Sequence, residues 1–197
     1  MRFRALIGAC AAVLFGCEGP NVICAYGASY CGGAPYSVRI PGGRHITQHE
    51  GIDFAGYVGA PVISASHGEV ISASYGYCGG TVIVKTEIKE DNAYFGVVTK
   101  NYLYMRYNHI DPDENMSYGV TVKPGESIGT MQNPHAVPGY GNCIRTPHLH
   151  FAMHFFRDGE RFHVDPNRYW LSGSRKIVCF EPGMDVPPNK IVAPVPC

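Results

Sequence analysis

The sequence predicts a mainly β fold of short antiparallel strands with little helix, and three observations carry that expectation. The 197 residues include 24 glycines and 15 prolines, which break the chain into many turns. Several runs alternate apolar and polar residues or are dense in β-branched and aromatic residues, the pattern of a pleated, half-buried strand. Only DPNRYWLS, starting at Asp165, opens with the Asp-Pro pair that begins a helical turn.

Taken in order, the chain begins with MRFRALIGACAAVLFGC. Arg2 and Arg4 precede an apolar stretch from Ala5 to Phe15, and a basic start, an apolar region of ~7–15 residues and a small residue before the cut describe a secretory signal. The run is shorter than the ~20 apolar residues that span a bilayer. Cys17, directly after LFG, fits a lipid-modified first mature residue and hence a membrane anchor. Residues 1–17 are therefore expected to be a signal, either of the lipoprotein type or cleaved plainly near or after this point. Residues 18–35, rich in Gly, Ala and Ser with Cys24 and Cys31, form a linker or extension. From Tyr36 the pattern becomes that of a domain, expected over residues 36–175. APVISASHGEVISAS holds two short apolar runs around a turn; GGTVIVKTEI is a clear strand; YFGVVTKNYLYMRYNHI is a long aromatic β run. VKPGESIGTM places a Pro-Gly turn between short strands, and HLHFAMHFF alternates strictly. Residues 176–197 are Pro-rich and expected to be an extended tail.

Charge narrows the partners. Lys plus Arg and Asp plus Glu number 16 each, so the formal net charge is zero, and no basic stripe interrupts the sequence. Nucleic acid is not expected as a partner. Cys24, Cys31, Cys78, Cys143, Cys179 and Cys197 are an even set that fits disulfides in an oxidising compartment, although the spacings cannot choose the pairs. No Cys-x-x-Cys pair is present, which argues against a thiolate metal site.

Two strand-like segments put polar groups that could bind metal on one face and hydrocarbon on the other. In HEGIDF, His49 and Asp53 share one parity, and Ile52 and Phe54 the other. In PHLHF, His148 and His150 share one face, and Leu149 and Phe151 the other. Two imidazoles and a carboxylate are a standard set for a zinc ion with a fourth position left for water. Asp53 could instead orient a histidine without touching the ion. Most lone histidines are surface or capped residues, and His45, His67, His135, His154 and His163 carry no assignment, His67 reading as a turn residue. His154 shares parity with His148 and His150, which raises the question of whether it lines the same cleft. Tyr102, Tyr104 and Tyr107 are expected to pack in the core.

The segments HEGIDFAGYVGAPVISASHGEV, YNHI, KPGESIGTM and TPHLHF, in that order between Arg39 and Trp170, resemble the LytM/lysostaphin-type zinc metalloendopeptidases that cut bacterial cell-wall peptides. The resemblance implies antiparallel sheets forming a sandwich or barrel-like core with a groove, and one zinc ion per chain held by His49, Asp53 and His150. It implies a catalytic pair, His109 and His148, of which one is the general base; sequence does not say which. Peptidoglycan peptides are the implied partners, and the cell envelope or periplasm the implied location. The chain departs from the family at Ala152, where an acidic residue is common, and in the long segment QNPHAVPGYGNCIRT before the His-x-His strand. The rival function is a catalytically silent envelope protein that binds peptidoglycan or activates another hydrolase. Nothing in the five site positions favours that rival, because none is lost.

Overall fold

In the computed structural model, the described residues are 22–23, 51–88, 101–136, 146–174 and 176–196. Cys17 and the signal, most of the 18–35 linker, His49 and the loop around Cys143 lie outside them. The strands are β1 (Val22–Ile23), β2 (Ile52–Ala55), β3 (Pro61–Ile63), β4 (Gly68–Gly76), β5 (Gly79–Ile88), β6 (Asn101–Asn108), β7 (Ile110–Pro112), β8 (Thr121–Val122), β9 (Ser127–Met131), β10 (His148–Arg157) and β11 (Glu160–Val164). No α-helix occurs among the described residues. The Asp-Pro start at Asp165 yields a single 3-10 turn, Pro166–Arg168, capped by the Asp165 side chain accepting from the Asn167 N–H. The fold is mainly antiparallel β, as the turn density and alternation predicted.

The strands form an eight-stranded sheet, seven of them in the order β1-β2-β10-β6-β5-β4-β8 with β11 paired to β10 off that path, and a three-stranded sheet in the order β3-β9-β7. β10 is central to the large sheet. One edge pairs with β6; the other pairs first with β2, over His148–Phe151, and then with β11, over Met153–Arg157. The β10–β11 turn is Asp158–Gly159, both with positive φ (53° and 77°), the conformation a tight two-residue hairpin requires.

Period-two alternation fixes which face of the large sheet is buried. Leu103, Met105 and Tyr107 of β6, Val82 and Val84 of β5, and Leu149, Phe151 and Met153 of β10 are all within 1% of full burial. With Val62, Ile110, Ile128 and Met131 of the small sheet they make one apolar core, and burial of that area is the main force holding the two sheets together. Tyr107 belongs to this core as expected, its hydroxyl accepting from the Ala65 N–H at 2.9 Å, and burial pushes its pKa up to about 12. Tyr102 and Tyr104 do not: their parity puts them, half-buried, on the opposite face. The Pro-rich tail is docked rather than loose. Ile191, Val192, Ala193 and Val195 are buried, and the tail backbone bonds to Ile63, Ala65 and Leu171.

Candidate active site

The face of β10 opposite the core carries His148 and His150, and the neighbouring strands decide what meets them. β2 lies antiparallel with His150 opposite Asp53. Paired residues share a face, so the carboxylate and the imidazole are brought together although they are distant in sequence. Asp53 Oδ1 lies 3.0 Å from His150 Nδ1 and 3.8 Å from His148 Nε2. Gly51 explains how His150 is seated. A Cβ there would lie 2.6 Å from the Phe151 carbonyl and 2.8 Å from both Cε1 and Nε2 of His150, so only glycine lets the imidazole lie against this backbone.

His109 reaches the same place from another direction. β6 ends at Asn108 in the large sheet, and β7 begins at Ile110 in the small one, so His109 is the corner residue between sheets. Its φ is 67°, a left-handed conformation that is uncommon for a side chain with Cβ. Two backbone bonds hold it: its N–H donates to the Gly80 carbonyl at 2.9 Å, and its carbonyl accepts from the Gln132 N–H at 3.0 Å. The His109 ring then lies 5.0 Å from that of His148 and 6.1 Å from that of His150.

The ring tautomers follow from their partners. His109 Nδ1 is 2.9 Å from the Cys78 carbonyl, and His148 Nδ1 is 2.9 Å from the Thr146 carbonyl. A carbonyl only accepts, so Nδ1 carries a proton in both rings, which leaves Nε2 as the nitrogen able to present a lone pair. Burial, only partly offset by the Cys78 carbonyl, lowers the His109 pKa to about 4, so this ring is neutral at physiological pH.

The spacing of Asp53 and His150 is compatible with two donors to one zinc ion. Two donor atoms of one tetrahedral zinc, each ~2.0–2.2 Å from it, must stand ~3.3 Å apart, close to the separation of Asp53 Oδ1 and His150 Nδ1. Among the described residues the expected ligands are these two, and the third, His49, lies outside them.

The sequence did not flag Gln132. Its side chain is buried, with Oε1 accepting from the Gly80 N–H at 3.0 Å and Nε2 donating to Asp111 Oδ1 at 2.8 Å. It thereby ties the β4–β5 hairpin to the corner that carries His109. Cys78, in that hairpin, is disulfide-bonded, as is Cys179. Of the unassigned histidines, His154 is buried away from Asp53, and His67 is an exposed loop residue.

The two-sheet β fold thus brings one carboxylate and three imidazoles together beside a central strand. Residues 47–166 match the model of peptidase family M23, and the chain belongs to that family, a metallo-endopeptidase acting on the cell wall. Among solved structures, LytU is 23% identical, with 81% of this chain and 89% of that one covered and a TM-score of 0.49. The catalytic domain of the antimicrobial peptidase lysostaphin from Staphylococcus simulans is 26% identical, with 67% and 83% covered and a TM-score of 0.42. A zinc-containing peptidase from Vibrio cholerae is 22% identical, with 65% and 35% covered and a TM-score of 0.40.

Proposed function

We infer that this peptidase is a zinc-dependent endopeptidase that hydrolyses peptide bonds in the stems or cross-links of peptidoglycan by attack of an activated water. The observation that carries the reading is the meeting of Asp53, His148 and His150 around one carboxylate oxygen, with His109 brought in from the sheet corner. His49, Asp53 and His150 are the residues that would hold the zinc, one ion per chain. When bound, zinc supplies Lewis acidity, lowering the pKa of a water towards ~7 and polarising the scissile carbonyl.

The other roles belong to the protein. His148 Nε2, on the Asp53 side of its ring, is the acceptor for the proton of the attacking water, and the Thr146 carbonyl keeps the opposite nitrogen protonated. His109, neutral and protonated at Nδ1, offers a second acceptor at Nε2, which suits it to orient that water more than to donate to an oxyanion. His148, once protonated, can return the proton to the leaving amine. Location in the envelope, and anchoring through a lipid on Cys17, complete the proposal.

The test uses the mature protein with its disulfides formed. Zinc per chain is measured by elemental analysis in wild type and His49→Ala, and both are incubated with purified peptidoglycan and scored for released muropeptides by mass spectrometry. Bound zinc and products in the wild type, both lost in His49→Ala, are expected. Zinc without cleavage of any cell-wall preparation would favour the non-enzymatic binding role, and absence of zinc would overturn the site.

A further inference from the structure

Three residues close a loop of hydrogen bonds around the corner that carries His109. The His109 N–H donates to the Gly80 carbonyl at 2.9 Å, the Gly80 N–H donates to Gln132 Oε1 at 3.0 Å, and the Gln132 N–H donates to the His109 carbonyl at 3.0 Å. The first and last are backbone bonds that most residues at 132 would keep. The middle one is made by the Gln132 side chain alone.

The β4–β5 hairpin is pressed onto the same corner. A Cβ on Gly80 would meet the Ile110 carbonyl, so only glycine lets the hairpin backbone pack on the residue that follows His109. Two residues earlier in the hairpin, the Cys78 carbonyl stands 2.9 Å from His109 Nδ1. The hairpin therefore holds His109 twice, by its backbone through Gly80 and by its ring through Cys78. Whatever fixes the hairpin on the corner also aims the ring.

That fixing runs through Asp111. Gln132 Nε2 donates to Asp111 Oδ1 at 2.8 Å. The hydroxyl of Tyr75, the residue paired with Gly80 across the hairpin, donates to the same oxygen at 3.2 Å. A backbone N–H only donates and a carboxylate only accepts, so the Gln132 amide has one orientation that satisfies both ends. Gln132 is 4% exposed, and an apolar side chain in its place would leave the Gly80 N–H without this acceptor in the interior.

We propose that Gln132, clamped by Asp111, is a positioning residue: it acts on the reaction through His109, setting the aim of that ring by fixing the β4–β5 hairpin on the sheet corner. The inference deepens the peptidase reading and rests on it for the role of His109.

The test uses the full mature chain with disulfides formed and zinc loaded. Gln132→Met keeps the length of the side chain and removes both of its hydrogen bonds. On soluble peptidoglycan fragments, kcat should fall ~10–100-fold, the scale for a catalytic group displaced by about an ångström, with KM and bound zinc close to wild type. In nitrogen-15 NMR of the histidine rings, the single Nδ1–H form of His109 should give way to a mixture of tautomers, a change that a merely structural role would not produce. Gln132→Glu keeps the acceptor for Gly80 but sets a carboxylate against Asp111, and it should lower kcat as well. Adding Asp111→Asn to Gln132→Glu restores a donor facing an acceptor, with the Tyr75 hydroxyl free to accept instead of donate, and should recover most of the lost rate. Wild-type kcat and an unchanged His109 signal in folded Gln132→Met would overturn the proposal. So would a double variant no faster than Gln132→Glu, or a rate loss that tracks lost zinc. A His109 signal that responds to Gln132 in a protein that cleaves no cell-wall peptide would instead sink the peptidase reading and leave the positioning role standing.

Discussion

At the start of β10, His148 and His150 stand beside the Asp53 carboxylate with the His109 ring close by; further along the same face, His154 lies flat on Tyr104, 5.3 Å between ring centroids. Phe156 meets His154 edge-on at 5.4 Å, His163 stands 6.2 Å away, and Arg161 and Arg106 add positive charge nearby. Residue type and strand parity are the same in the two halves. What differs is the flanking strand: β2 runs beside the first half and brings Asp53, and β11 replaces it along the second and brings His163 and Arg161. A histidine with a carboxylate across the ladder can share a cation. A histidine among rings and guanidinium groups is held neutral, and burial with those charges lowers the His154 pKa to about 4. Parity therefore nominates a histidine, and the cross-strand partner gives it its role.

The largest effect that would test this contrast is on rate. His148→Ala should lower kcat/KM on cell-wall substrate by ~10²–10⁴, the range of a lost general base, while leaving zinc content unchanged, as steady-state rates and metal analysis would show. Gly51→Ala comes next. Its Cβ would collide with the Phe151 carbonyl and the His150 ring, and displacing that ring, proposed above to hold zinc, should weaken zinc affinity by ~10–100-fold in a competition titration with a chelator.

In the other half of β10, His154→Ala should leave cleavage per folded molecule close to wild type. It should cost about 2–3 kcal/mol in denaturant unfolding, through the cavity left beneath Tyr104 and Phe156. The smallest effect is the dependence of stability on pH. In the unfolded chain His154 titrates near its ordinary value of 6.5, so between pH 6.5 and 4 the unfolded state binds the proton that the folded state refuses. Stability is then full above about pH 6.5, falls towards pH 4 and levels off below it, by on the order of 1–3 kcal/mol. His154→Phe, which does not titrate, should flatten that part of the slope in unfolding curves at pH 7.5 and 4.5.

Much of this architecture was legible in the sequence for local reasons. Strict alternation in HLHFAMHFF marked β10, its buried face and its imidazole face, and the β-branched run GGTVIVKTEI coincides with β5. The Asp158–Gly159 turn also has a local signature, since the pair suits a tight hairpin. The His109 corner was not legible. YNHI reads as the end of one long strand, whereas the chain changes sheets at a histidine of positive φ, held by Gly80 and Gln132 from distant parts of the chain. Gln132 was hidden for the same reason, being 52 residues from the Gly80 N–H it accepts. Asn108 lies on the face opposite Tyr107, which was readable, but its place across from His150 depends on a strand register that no local pattern sets. The course of the tail was not legible either: Val192 and the Pro194 carbonyl bond to Ala65 and Ile63 of the body, distant parts of the chain that local composition does not encode.

The most direct measurement sets the two halves of β10 against each other. His150→Ala and His154→Ala, purified side by side with disulfides intact, are assayed for zinc by elemental analysis and for muropeptide release from purified peptidoglycan. The expected result is zinc and products lost in His150→Ala, with about one zinc per chain and wild-type products retained in His154→Ala. Full zinc and activity in His150→Ala, or loss of zinc in a folded His154→Ala, would contradict the assignment of the metal centre to the half of β10 that faces Asp53.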